Sequence, residues 1–363
     1  METGKNMSLP RTIATGRPLR RSGGLLTGAI LVAALAAGAV AAAVPAAADP
    51  AAVVIMYHRF GEPKYPSTNI TLEQFEAHIQ ELQSGKYRVV GLPEIIAALR
   101  DGRPLPDRTV GLSIDDAFRS VYREAWPRLK EAGFPFTLFV ATGPIDRKAS
   151  NYMNWDQIRE MAAAGVTIGS QTMSHLHMAD ASPERNRQEL ERSNRRFEEE
   201  LGQRPDLFAY PYGESSLAVQ ALVQEMNFTA AFGQHSGAIG GGDYFDLPRF
   251  AMNENYGGQA RFRLAVNALP LPVTDVTPAD PLIAAHIPPA MGFTITGNIP
   301  GLDRLACYSS HEGKARLEHL AGNRIEIRVE RAFPKGRTRV NCTLPVGKGR
   351  FRWFGRQFYR GPS

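Results

Sequence analysis

The sequence predicts an α/β fold in which a parallel sheet is covered by helices, followed by a smaller all-β region. Three observations predict it. From Val53 to Phe232, short apolar runs alternate with segments of helical period. Each run is apolar throughout rather than alternating, as expected of strands buried on both faces, and this leaves open whether the sheet is open or closed into a barrel. After Pro270 the helical period is lost, and short strand-like runs between Gly and Pro turns take over.

The 363 residues suffice for one large domain and a small one. Residues 1–48 stand apart. Arg11, Arg17, Arg20 and Arg21 precede an uncharged Ala/Gly/Leu-rich run from Ser22 to Ala48, and Ala46-Ala47-Ala48 offers a small-x-small cleavage site before Asp49. That is the layout of a secretory signal peptide, with an uncleaved membrane anchor as the alternative. Arg20-Arg21 also permits twin-arginine export, although the residues after it match that signal poorly. The segment holds five Lys/Arg and one acid, so 37 basic residues against 35 acidic remain after cleavage, a net charge of +2 in place of +6. With so little excess charge, and no basic helix interleaved with aromatics, nucleic acid is not an expected partner, although Lys348 to Arg360 is locally basic. No stable membrane insertion is expected after cleavage, and the location is periplasmic or extracellular. In that setting Cys307 and Cys342 are expected to form a disulfide.

Taken in order, Val53 to His58 is the first buried strand, and Thr71-Leu72-Glu73-Gln74 opens a helix in capping-box form. Tyr87 to Leu92 and Pro93 to Arg100 repeat the unit. Val110 to Ile114 is the next strand, and Ser120 to Ala132 a helix kinked at Pro127. Phe136 to Ala141, a helix capped at Asn154, and Val166 to Thr172 follow. The helix from Ser182 to Leu201 has only Leu190, Phe197 and Leu201 to bury, so it reads as an outer-surface helix. Leu207 to Tyr212, a helix from Ser216 to Met226, and Thr229 to Phe232 complete the series. The organisation is therefore 1–48 signal, 49–270 α/β domain, 271–282 Pro-punctuated linker and 283–363 β domain. In the last, Phe293 to Thr296, Arg304 to Ser309, Arg324 to Val329 and Arg337 to Leu344 read as strands of a small β-sandwich, with Cys307 and Cys342 on facing strands.

The chemistry-bearing residues lie where strands end, the place in α/β sheets where sites are built. Asp115-Asp116 closes one strand, Gln171-Thr172-Met173-Ser174-His175-Leu176-His177 follows another, and Ala209-Tyr210-Pro211-Tyr212-Gly213 a third. An isolated Asp-Asp reads as a solvated loop or a helix cap, and a lone His175 as a loop histidine. Together, from roughly Val53 to Met252 and including Met56-Tyr57-His58, these motifs resemble the NodB-type polysaccharide deacetylases, carbohydrate esterase family four. The resemblance implies a distorted (β/α) barrel of about seven units and a divalent metal, usually zinc. It also implies hydrolysis of N-acetyl groups from an N-acetylhexosamine polymer: a hydrolase of carbohydrate metabolism acting on carbon–nitrogen bonds other than peptides. A metal polarises the amide carbonyl and acidifies a bound water, which is why the chemistry needs acids and imidazoles together. Position by position, Asp115 would be the general base, Asp116 and His175 metal ligands, and the backbone N–H of Tyr212 a donor to the oxyanion.

Four departures qualify the resemblance. Gln171 stands where the family has the first histidine of its second motif. A Gln carbonyl is a harder donor, so Co, Mn or Ni are expected alongside zinc. The site then has Gln171 as a ligand, a replacement such as His177 or His58, or no metal. Ala209 replaces an arginine that pairs with the catalytic acid, and Arg249, after the next strand, is expected to supply the guanidinium, an exposed salt bridge being the alternative for that residue. Ala117 replaces a glycine, suggesting a less strained turn. No Leu-x-His motif between Arg249 and Pro270 supplies a general acid, and His235 and His286 are not assignable. The C-terminal region also resembles an accessory domain of some exported deacetylases; Trp353-Phe354 and Phe358-Tyr359 would stack on sugar rings or pack in the interior. The leading reading is an exported metal-dependent N-acetylglucosamine polymer deacetylase. The alternative is a catalytically weak or inactive polysaccharide-binding protein on the same scaffold.

Overall fold

The computed structural model describes residues 51–283 and 288–362. The expected signal peptide with its cleavage site, and His286, lie outside the described residues.

Strand Ala52–Tyr57 is buried along its whole length, as an all-apolar run must be at the centre of a sheet. It pairs in parallel with Thr109–Asp115, and Thr137–Val140, Thr167–Ser170, Leu207–Ala209 and Ala230–Phe232 follow in register. Ala238–Ile239 lies antiparallel on the other edge of the first strand. The sheet then curls back on itself. Leu247 bridges Phe232 at one edge, and Phe250–Ala251 pairs in parallel with Ile55–Met56 at the other. Residues 247–251 thus run from the last parallel strand to the first.

The helices start where their caps were expected. Leu72–Gln83 has Thr71 and Gln74 in a reciprocal capping box, and Trp155–Ala163 has Asn154 and Gln157 in another. Such N-caps are worth about 1 kcal/mol each. The kink expected at Pro127 takes the form of a change of helix type: a π turn, Val121–Ala125, runs into an α-helix, Trp126–Glu131, whose first turn contains the proline. Two predicted strands are shorter than expected: Arg88–Val89 replaces Tyr87 to Leu92, and Leu207–Ala209 stops before the Pro-Tyr-Gly turn.

The C-terminal β region consists of two sheets. One has the order Leu269–Pro270, Arg350–Arg360, Gly336–Gly347, Ala306–Ser309, Gly313–Lys314; the other Val273–Thr277, Met291–Ile295, Arg324–Arg328, Arg316–His319. They enclose a core that includes Phe293, Ile325, Ile327, Leu344 and Phe358. Residues 271–282, expected as a linker, contribute strand Val273–Thr277 to this region; Val273 pairs with Ile295 despite the surrounding prolines. Cys307 and Cys342 are disulfide-bonded as directly opposed residues of the neighbouring strands Ala306–Ser309 and Gly336–Gly347. The aromatic pairs are packing residues. Trp353 meets Phe250 edge-on, Phe354 meets Phe293 and Phe358 meets Phe333. Among the described residues no helix is long and apolar enough to cross a membrane.

Candidate active site

Along Thr109–Asp115, residues 111, 113 and 115 share one side of the strand. A Cβ at Gly111 would strike Leu92 at 2.4 Å, so that side opens onto a crowded interior. Further along the same side, Asp115 is fully buried, and Arg249 meets it there. The Nη1 of Arg249 donates to Asp115 Oδ1 at 2.7 Å and its Nη2 to Oδ2 at 2.9 Å. Its Nε donates to the Gly233 carbonyl at 2.9 Å, and Nη1 also reaches Ser113 Oγ at 3.2 Å. Both side chains are 0 % exposed. The expected guanidinium therefore comes from position 249, because residues 247–251 close the sheet directly beside the first strand. Ala209 is buried in the same cluster as Phe139 and Phe232, whose ring centroids lie 5.3 and 6.0 Å from the guanidinium carbon of Arg249.

Where the strand opens into its loop, Asp116 turns the other way and meets His175, with Nε2 3.3 Å from Asp116 Oδ1. Burial works to raise the Asp116 carboxyl, but the His175 hydrogen bond, the charges of His58 and His175, and Arg59 outweigh it and leave it below its ordinary value. Burial likewise works to lower the His175 imidazole; the Asp116 hydrogen bond and the charges of Asp116, Asp115 and Glu214 push it above its ordinary value. His58 sits on the opposite flank, its Nε2 3.9 Å from Asp115 Oδ2.

Gln171 is buried and turned toward this pair, with its Oε1 accepting from the Asp116 backbone N–H at 3.1 Å. Its buried Nε2 has no partner. Among the described residues, no three His, Cys, Asp or Glu side chains cluster to hold a metal. The donors beside one another here, the Asp116 carboxylate, the His175 imidazole and the Gln171 amide oxygen with a second lone pair, are of the types a sparse, mixed oxygen/nitrogen set for a divalent cation uses. His177 is not part of it. Its Nδ1 donates to Glu214 Oε2 at 2.6 Å, and its ring stacks on Tyr212 with centroids 4.0 Å apart. His235 is buried beside Asp246, away from these donors.

The site loops are held in costly conformations. Asp116, Ala117, Thr172, His175 and Tyr212 all have positive φ, 74°, 54°, 67°, 61° and 59°. Ala117 is a correction: in place of glycine it was expected to relax the turn, but it sits in the left-handed region, where a Cβ is a penalty. Tyr212 lies in the short helical turn Pro211–Gly213, and its ring meets His175 edge-on at 4.4 Å.

What sequence reasoning missed is the support behind these loops. The helix Pro183–Leu201 buries Asn186, Glu189, Ser193 and Asn194 beside Leu190 and Phe197. Glu189 accepts from the Ser174 N–H at 2.7 Å, Ser193 donates to the Thr172 carbonyl at 3.2 Å and Asn186 to that of Met178 at 2.9 Å. The outer-surface helix is thus a polar bracket for the His175 loop. The available signal was the helical spacing of 186, 189, 190, 193 and 197, which puts polar residues inside the buried stripe.

With this geometry in place, the comparisons show what the chain is similar to. A family model for polysaccharide deacetylase matches residues 102–231, which contain Asp115, Asp116, Gln171, His175 and Tyr212. Over those residues the chain is similar to the polysaccharide deacetylase family. It is 27 % identical over 160 residues to YxkH of Bacillus subtilis (strain 168), a protein named for polysaccharide deacetylation; the match covers 44 % of this chain and 56 % of that relative. It is 24 % identical over 203 residues to the poly-beta-1,6-N-acetyl-D-glucosamine N-deacetylase of Staphylococcus aureus (strain N315), covering 52 % of this chain and 69 % of the relative. The solved structure of IcaB from Ammonifex degensii superposes with a TM-score of 0.54 at 28 % identity, covering 61 % of this chain and 98 % of that one. The curled α/β sheet is therefore that of the deacetylase family.

Proposed function

We propose that the chain is an exported N-deacetylase of an N-acetylglucosamine polymer, with Asp115 as general base. The observation that carries this is the Asp115–Arg249 pair. A buried ion pair is a poor stability device, since well-packed apolar residues of similar volume often do as well or better. A chain keeping only the scaffold has no need of one. Here the guanidinium is delivered from position 249 to a carboxylate adjoining Asp116 and His175.

Asp116 and His175, with the Gln171 carbonyl oxygen, would hold a divalent cation. Zinc is the family expectation, with Co, Mn or Ni suited to the harder Gln171 donor. When bound, the cation supplies Lewis-acid polarisation of the acetyl carbonyl and a more acidic water. Asp115 accepts a proton from the attacking water while Arg249 fixes both carboxylate oxygens. The water oxygen bonds to the acetyl carbon, the proton taken from the water passes to the departing nitrogen as the C–N bond breaks, and acetate and a free amine result. The Tyr212 N–H would donate to the oxygen on which charge develops, a contribution worth about 3 kcal/mol in comparable sites. The S. aureus relative's poly-β-1,6-N-acetylglucosamine is the polymer to try first.

Export is proposed from residues 1–48, and the disulfide fits an oxidising compartment. The test is acetate release from poly-β-1,6-N-acetylglucosamine and N-acetylglucosamine oligomers with Zn, Co, Mn or Ni added. Release that requires a metal supports the reading. Polymer binding with no release under any metal supports the alternative of a binding protein on this scaffold.

A further inference from the structure

The strand Arg350–Arg360 is buried on two sides. Phe354 and Phe358 face the β-region core, whereas Trp353, Gly355, Gln357 and Tyr359, two residues apart, face the barrel. Each makes a specific contact there. Trp353 packs on Phe250, and a Cβ at Gly355 would lie 2.0 Å from the Ser236 carbonyl oxygen, so only glycine fits. The Tyr359 hydroxyl donates to Asp180. The Nε2 of Gln357 donates to the carbonyls of Tyr212 at 3.1 Å and Gly213 at 2.7 Å. From the paired strand Gly336–Gly347, Arg337 Nη1 donates to the Tyr212 carbonyl at 3.4 Å, and its Nε lies 3.7 Å from Glu214.

We infer that the C-terminal β region is a working part of the active site, in which Gln357 and Arg337 are positioning residues that hold the Pro211–Tyr212–Gly213 turn. The inference rests on the proposed deacetylase reading for its catalytic consequence. Tyr212 sits at φ 59°, a conformation that persists only where the surroundings over-determine it. Gln357 provides that restraint: it is 4 % exposed, and its Oε1 has no partner, so the side chain is oriented by its two donations alone. Without them, the Gly213 carbonyl would lose its donor, the Tyr212 carbonyl would keep only the longer Arg337 contact, and Tyr212 could relax. Its N–H would then swing off the position where the oxyanion forms. The β region thus acts on the reaction without supplying a group that touches the substrate.

The test uses the full chain and two variants, Gln357→Leu, which keeps volume and removes the donor, and Arg337→Ala on the exposed rim, which folds even if the first does not. Amide hydrogen exchange across residues 210–214 and steady-state acetate release are measured for both. The expected result is faster exchange confined to that turn, with kcat lowered about tenfold for Gln357→Leu and KM within about twofold, as for an interaction felt only in the transition state. Arg337→Ala is expected to shift both readouts in the same direction by less. Arg337→Lys, which keeps the charge beside Glu214, should recover part of the loss. Unchanged exchange in both variants overturns the inference, as does faster exchange with unchanged kcat. Wild-type protein that releases no acetate ends the deacetylase reading, while faster exchange in the variants would still establish the clamp.

Discussion

Arg249 grips both carboxylate oxygens of Asp115, at 2.7 and 2.9 Å, with both side chains wholly buried. The pair locks the strand that carries the acids to the segment that closes the sheet. Breaking it leaves one buried charge uncompensated. Asp115→Ala is therefore expected to cost about 3–5 kcal/mol of stability. Urea unfolding of Asp115→Ala, Arg249→Ala and the double variant should give a double variant less destabilised than the sum of the two singles.

The family takes this guanidinium from the position of Ala209. Because Ala209 and Arg249 approach the same phenylalanines, an Arg249→Ala protein should regain stability and acetate release when Ala209→Arg is added. A double variant no better than Arg249→Ala would show that the two positions are not equivalent sources of the charge.

Gln171 should set the metal affinity. Gln171→His replaces an amide oxygen with an imidazole, a stronger donor for zinc, so zinc binding measured calorimetrically should tighten at least about tenfold. Equal affinity would mean that Gln171 does not face the cation. Asp116→Asn and His175→Ala should each abolish binding in the same titration.

Two histidines outside the site predict acid sensitivity. Burial lowers His235 from 6.5 to about 4, with the charge of Asp246 working against it and nearby arginines adding to it. Burial lowers His78 to about 4 as well, against the hydrogen bond to Gly257 and with the charge of Arg261. Each binds a proton more readily when unfolded, so stability rises with pH between about 4 and 6.5 and is lost as the pH falls through that window, on the order of 3 kcal/mol per histidine. Urea midpoints at pH 7 and pH 4.5 should differ accordingly, and His78→Gln should reduce the difference by about half.

Much of this was legible in the sequence because a helix-covered parallel sheet announces itself by period. Strands that are apolar throughout, alternating with capped helices, leave few other arrangements, and strand ends then collect Asp115, Asp116, His175 and Tyr212. Arg249 was legible only through the family resemblance, which left a guanidinium to be found near a strand end, and its burial against Asp115 excludes the exposed salt bridge that was the alternative. Glu189 and Ser193 were not, because polar residues within an amphipathic stripe read as solvent-facing until their loop partners are seen. The strand Arg350–Arg360 was hidden for a related reason: its arginines read as a basic tail. Folding pairs Arg350 with Asp107 and Arg356 with Asp246, and turns the alternate residues onto the barrel.

The most direct measurement compares acetate release from one N-acetylglucosamine polymer by the wild-type chain and by Asp115→Asn, each saturated with the same metal. Asn keeps the shape of Asp but cannot accept the water's proton. The account predicts metal-dependent release by the wild type and a fall in kcat of at least about a hundredfold in the variant, as for loss of a general base. A variant that kept its full rate would contradict the assignment of Asp115 as that base.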